Sequence, residues 1–219
     1  MIITRQKPIP EIMEYIKGKN GLFLVGCELC ATTCKTGGSE QVKKMAEFLK
    51  NNNKEVTGWV VLDPACSALA VRKFLRENAA AISKTDAILC LACGGGTQAI
   101  SEIADSIEVI PCNDTLFQGE LKAASLKGSE FAQKCSLCGD CMLAITGGIC
   151  PITHCPKGLV NGPCGGVKNG KCEVDESIDC VWINIYNRLK KRNKIAEMKK
   201  IRKAKDHSKD KKPQKITTE

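Results

Sequence analysis

Leu22-Phe23-Leu24-Val25-Gly26-Cys27 is a short apolar run that stops at a glycine and a cysteine. A run apolar at every position, rather than at every second one, suits a strand covered on both faces. The pattern returns at Val56-Thr57-Gly58-Trp59-Val60-Val61-Leu62, at Ala87-Ile88-Leu89-Cys90-Leu91 and, more briefly, over residues 107–110. Between these runs the apolar spacing switches to the helical period: Val42, Met45, Ala46 and Leu49, then Leu69, Phe74 and Leu75, then a stretch of about 98–104. Ahead of them, Ile9, Ile12, Met13 and Ile16 predict a short amphipathic helix within a leading segment 1–20. Strands alternating with helices at this interval predict a parallel sheet with right-handed crossovers. The fold class is therefore α/β: a small doubly wound sheet of Rossmann or flavodoxin type. Residues 113–134 read as the link between this domain and the cysteine-rich half of the chain, with a helical run near Leu116–Leu126, which bounds the α/β domain at 21–134.

The ends of those strands carry the chemistry. Cys27, Cys30 and Cys34 follow the first strand, Cys66 the second, Cys93 the third and Cys112 the fourth. In an open α/β sheet all these points share the carboxyl edge, where ligands bind. Cys27, Cys30, Cys66 and Cys93 are the expected ligands of a metal or cluster site there, with Cys34 as an alternative ligand and Cys112 a weaker one. Cys90 sits inside a strand and reads as a small buried hydrophobe. Gly94-Gly95-Gly96 follows the third strand, but neither a G-x-G-x-x-G fingerprint nor a phosphate-loop lysine accompanies it. These glycines are expected to bring backbone close to a cluster and to donate N–H groups to its sulfurs.

From Cys135 to Cys180 the character changes, with eight cysteines within 46 residues. The segment opens as Cys135-Ser-Leu-Cys138-Gly-Asp-Cys141, a C-x2-C-x2-C run like those that hold [4Fe–4S] clusters, since sulfurs spaced by three face the inside of one small loop. Cys150, Cys155, Cys164, Cys172 and Cys180 complete the set. Eight thiols supply two four-thiolate sites, and spacing alone leaves their partition open. C-x2-C pairs also suit tetrahedral zinc, so zinc at one site stays open. His154 stands beside Cys155, but eight cysteines already suffice, so a supporting role is expected for it. Trp182, Ile185, Tyr186 and Leu189 form a helical apolar stripe expected to pack onto this module, which spans 135–187.

A disulfide framework is disfavoured. The chain carries 15 cysteines, an odd number, and no apolar stretch follows the start Met1-Ile-Ile-Thr-Arg5 as export would require. A reducing, cytoplasmic setting is expected, where such spacing points to metal or catalysis. No window reaches the ~20 apolar residues of a membrane span. Net charge is +9, yet residues 188–219 hold 14 Lys or Arg against four acidic residues, so the rest is close to −1. Basicity is a property of the tail, read as helical or disordered. With no interleaved aromatics or recognisable module, nucleic-acid binding is not expected.

Residues 135–187, including Gly148-Ile149-Cys150-Pro151, His154-Cys155-Pro156-Lys157-Gly158-Leu159-Val160-Asn161-Gly162-Pro163-Cys164-Gly165-Gly166 and Cys180-Val181-Trp182, resemble the cysteine-rich domain of the methylenetetrahydrofolate reductase C-terminal family. In acetogens that domain belongs to the small iron–sulfur subunit of a two-subunit reductase. The resemblance implies a TIM-barrel flavoprotein partner, whose flavin reduces methylenetetrahydrofolate to methyltetrahydrofolate in the Wood–Ljungdahl setting, and ferredoxin or further subunits as electron donors. The chain itself shows no paired nucleophile and base, and only two histidines. It is therefore expected to be the non-flavin, electron-transfer subunit of an oxidoreductase, with two [4Fe–4S] clusters in 135–180 and a third in the α/β domain. A zinc-stapled scaffold of the same complex is the competing expectation.

Overall fold

The computed structural model describes residues 1–125, 128–201 and 203–217. The apolar runs form β2 (Gly21–Cys27), β3 (Glu55–Leu62), β4 (Ala87–Leu91) and β5 (Glu108–Pro111), all parallel, in the order β3-β2-β4-β5. Successive side chains on a strand point to opposite faces, so each apolar run feeds two cores. Leu22, Leu24, Leu89 and Leu91 pack with Ile12, Val42, Met45 and Leu49 from α1 (Ile9–Tyr15) and α3 (Ser39–Asn51). Phe23, Val25, Ile88 and Cys90 pack with Val71, Phe74 and Ile100 from α4 (Ala68–Glu77) and α6 (Gly94–Ile103). Helices thus cover both faces, as in a doubly wound sheet. Leu69 departs from the expected stripe and is exposed, while Phe74 is buried against Phe23. Two single-turn helices, α2 (Cys30–Thr33) and α5 (Ala79–Ile82), complete this layer.

A second sheet departs from those expectations. β1 (Ile2–Gln6) pairs antiparallel with β6 (Asn113–Ser125), and β7 (Gly128–Cys135) lies on the other side of β6. The helix expected near Leu116–Leu126 is therefore a strand, apart from Leu126, which lies outside the described residues. Leu116, Glu120, Leu121, Lys122, Ala123 and Ala124 favour a helix by local propensity. The first half of β6, residues 113–118, pairs instead with β1, more than a hundred residues earlier in sequence. The strand is flanked on its other side by β7, and sheet pairing overrides the local propensity. The chain divides into two compact units, Met1–Phe131 and Ala132–Glu219.

The second unit has little regular structure. It contains α7 (Pro151–His154), α8 (Val181–Lys191) and two 3₁₀ turns, Ile195–Lys199 and His207–Asp210. Val181, Trp182, Ile185 and Leu189 of α8 are its buried apolar set, packed with Ile149, Cys155, Cys180 and Met198. The Trp182 indole N–H donates to the Leu159 carbonyl (3.1 Å), which satisfies the polar edge of that ring. Tyr186, expected on the same stripe, points outward. Among the described residues no helix is long and apolar enough to cross a membrane.

Candidate metal centres

The parallel sheet brings its cysteines to one edge. Strand order turns back on itself between β2 and β4, and the carboxyl end of that junction is where open α/β sheets hold ligands. Cys27 ends β2, Cys30 opens α2, Cys66 lies in the loop after β3, and Cys93 is the N-cap of α6. The Cys66 thiol is pushed up by partial desolvation and by Cys93, with smaller contributions from Cys27 and Cys30. Cys66 is therefore within electrostatic reach of the other three expected ligands. The Ile2 backbone N–H donates to the Cys30 sulfur (3.4 Å), a contact suited to a thiolate. Cys34, the alternative ligand, also meets Ile2, with its sulfur 3.8 Å from the Ile2 carbonyl oxygen.

Close backbone approach shapes the same edge. The Cys27 N–H donates to the Gly37 carbonyl (2.9 Å). A Cβ at Gly37 would collide with the Leu91 carbonyl, and one at Gly26 with the Gly37 carbonyl. Glycine is required here because the loop after α2 lies directly on the ends of β2 and β4.

Three expectations are refined at this edge. The helix after β4 begins at Gly94 rather than near residue 98, so the three glycines form its first turn. The Gly94 N–H, expected to serve a cluster sulfur, donates instead to Thr115 Oγ1 (2.7 Å). Gly95 and Gly96 keep first-turn N–H groups with no acceptor inside the helix. Cys112 is fully buried in the α1/α3 core, where burial pushes its thiol far up. Cys90 is buried in the opposite core, accepts a hydrogen bond from Thr97 Oγ1 (3.3 Å), and is pushed up by burial to about 11. Both are apolar filler.

In the second unit the eight remaining cysteines fall into two groups of four. Cys135, Cys138, Cys141 and Cys150 line one cavity of about 540 Å³. Cys155, Cys164, Cys172 and Cys180 line another of about 20 Å³, together with His154 and Glu173. All 15 thiols are free. Turns made by residues with positive φ, Leu137 (55°) and Gly139 (69°), bend the first loop around its cavity. Leu137 N–H donates to the Cys135 sulfur (3.3 Å) and Thr153 Oγ1 to the Cys150 sulfur (3.4 Å). In the second group Cys164 Sγ donates to Glu173 Oε1 (3.3 Å), and the same carboxylate pairs with Lys157.

Residues 110–208, a little under half of the chain, match the family model described as methylene-tetrahydrofolate reductase C terminal. This is what the cysteine module and the strands leading into it are similar to. No curated protein and no solved structure matches the chain.

The donor chemistry of the sheet-edge group and the first module group fits thiolate-bound metal: free sulfurs with N–H or O–H donors aimed at them and, around the first module group, space among them. Among the described residues, no three Cys, His, Asp or Glu side chains converge tightly enough to hold a bare ion. Cys135, Cys138, Cys141 and Cys150 surround a volume instead. A cubane, whose irons and sulfides stand between the thiolates, sets its ligands farther apart than one tetrahedral ion does. Sequence spacing singled out the eight thiols but not their grouping, which depends on how the loop between Cys141 and Cys150 returns. Two residues escaped sequence reading altogether. Thr115 competes for a glycine N–H, and Asp140 pairs with the distant Lys209.

Proposed function

We propose that this chain is the iron–sulfur, electron-transfer subunit of a methylenetetrahydrofolate reductase, delivering electrons to the flavin of a TIM-barrel partner. The observation that carries the reading is the cavity lined by the four sulfurs of the C-x2-C-x2-C run and Cys150. The family match over 110–208 supports the reductase context. A [4Fe–4S] cluster, when bound, takes up and gives back one electron at a time, at a potential set by its surroundings. Cys135, Cys138, Cys141 and Cys150 would hold one such cluster, Cys155, Cys164, Cys172 and Cys180 a second, and Cys27, Cys30, Cys66 and Cys93 a third. The N–H groups of Leu137 and Ile2 stabilise thiolate over thiol, which favours metal retention and raises the potential. C1 chemistry belongs to the partner's flavin, because this chain offers no acid–base pair for it.

A second reading is favoured at one position. The cavity among Cys155, Cys164, Cys172 and Cys180 is only about 20 Å³, far less room than the first group encloses, so these thiolates, closing in from their present spacing, would hold a single zinc ion that staples α8 to the module.

Anaerobic purification with iron, acid-labile sulfide and zinc analysis, together with EPR, tests both readings. Cys138→Ser should remove one cluster's iron. It should slow reduction of the flavin by the physiological donor, while dye-coupled activity of the partner persists. Iron-free, sulfide-free protein from oxygen-free preparations would overturn the redox reading. Zinc lost on Cys172→Ser, with iron unchanged, would establish the staple.

A further inference from the structure

The lysine-rich C-terminal segment returns to the first cysteine loop of its own unit. Asp140, between Cys138 and Cys141, takes the Lys209 ammonium on Oδ1 (3.1 Å) and the Asp206 N–H on Oδ2 (3.4 Å). Lys205 Nζ donates to the Cys138 carbonyl (3.3 Å). Gly139 lies directly beneath the Lys209 carbonyl, where a Cβ would collide. That carbonyl also accepts from Gln214 Nε2 (2.7 Å), and Gln214 itself lines the cavity of Cys135, Cys138, Cys141 and Cys150. The returning segment is shaped locally as well. Asp206 Oδ1 accepts from the Ser208 N–H (3.0 Å) and hydroxyl (2.6 Å), capping the 3₁₀ turn His207–Asp210. Upstream, Lys203, Ala204 and Lys205 line a second cavity of about 260 Å³ with Asp140, Cys141 and Met142.

From these contacts we infer that residues 203–217 are a strap, anchored on Asp140, that closes one side of the Cys135/Cys138/Cys141/Cys150 cavity and holds Lys205 and Lys209 beside it. This inference rests on the cluster reading for what fills the cavity, but not for the anchoring. The physical consequences are two. A closed side slows the loss of iron to water-borne chelators, since exchange must wait for the strap to open. Cations beside a thiolate-ligated cluster favour the more negative, reduced form and so raise its potential. The basic tail is then an electrostatic part of the centre rather than a nucleic-acid arm.

The test uses the full chain, loaded anaerobically with iron and sulfide. Asp140→Asn and Lys209→Gln should each speed iron loss to an added chelator by about two- to fivefold, the range that one partly exposed ion pair commands. Both should speed tryptic cleavage within 203–217 to a similar degree. The exchanged pair, Asp140→Lys with Lys209→Asp, should restore the ion pair's share of both rates although it cannot accept the Asp206 N–H, which separates anchoring from simple damage to the loop. Lys205→Gln with Lys209→Gln should lower the midpoint potential seen by EPR-monitored titration. Unchanged chelation and cleavage in Lys209→Gln, a substitution in the exposed segment that leaves the cysteine loop intact, would overturn the strap. A chain that binds no iron but still loses tryptic protection in Lys209→Gln would overturn the cluster reading and leave the anchoring standing.

Discussion

In the α/β unit, Phe23, Leu24, Ile88, Leu89, Leu49 and Phe74 are buried on both faces of one sheet. In the cysteine module the buried apolar set is four residues on one side of α8, assisted by two cysteines. The first region has enough apolar surface to offset the entropy of ordering its chain, and the second does not. What the module has instead is eight thiols in two groups, and on the proposed reading bound metal would supply the folding free energy that apolar burial does not. On that reading, apolar burial and sulfur chemistry divide the work of folding between two parts of one polypeptide.

The largest expected effect separates the two directly. Stripping metal from the reduced full chain should make the region beyond residue 135 cleavable by trypsin on the order of a hundredfold faster, while a fragment of about residues 1–131 persists. Equal loss of protection in both regions would break the contrast. Next in size are two aromatic truncations. Phe23→Ala removes a ring at the centre of the sheet and should cost about 3–5 kcal/mol in urea unfolding, without change in iron content. Trp182→Ala, by opening the wall behind Cys155 and Cys180, should instead show itself as loss of metal from the second group.

Gly37→Ala sharpens the account of the carboxyl edge. Its methyl group meets the Leu91 carbonyl, so a cost of about 1–3 kcal/mol is expected in the same unfolding assay. Ser67 caps α4 by accepting from the Ala70 N–H (3.4 Å), and Ser67→Ala should lower stability by about 1 kcal/mol.

The smallest effect is a pH signature confined to the first unit. The Asp86 carboxylate accepts from the Gly21 (2.9 Å) and Asn20 (2.7 Å) N–H groups, and these bonds hold its pKa below the ordinary carboxylate value. A depressed folded pKa contributes stability above the unfolded value, about 3.9 for Asp, and that contribution fades as pH falls through the folded value. The urea midpoints of wild type and Asp86→Asn should therefore differ at neutral pH and converge in acid below pH of about 4.

How far the sequence reached is clearest at particular residues. The run Leu22–Cys27 announced a doubly covered strand because alternation is absent from it, and the fold places its side chains in two cores. The edge positions followed from topology: in a parallel sheet every strand ends on the same side, so Cys27, Cys30, Cys66 and Cys93 lie along one edge although far apart in sequence. Leu116–Ser125 failed for the opposite reason. Its identity as a strand rests on neighbours on both sides, β1 along residues 113–118 and β7 on the other edge, and its own composition reports neither. Only the fold shows that the sulfurs of Cys30 and Cys34 both come up against Ile2 of β1.

By itself, the sequence determined the parallel sheet, the positions of its cysteine-bearing ends and the identity of eight clustered thiols, because each is a matter of local pattern and covalent spacing. Only the tertiary structure decided which strands join the antiparallel sheet, how the eight thiols divide into two fours, and that the lysine-rich tail rests on Asp140. Those choices depend on contacts between segments distant along the chain, made where backbone partners, cavity walls and opposite charges happen to meet.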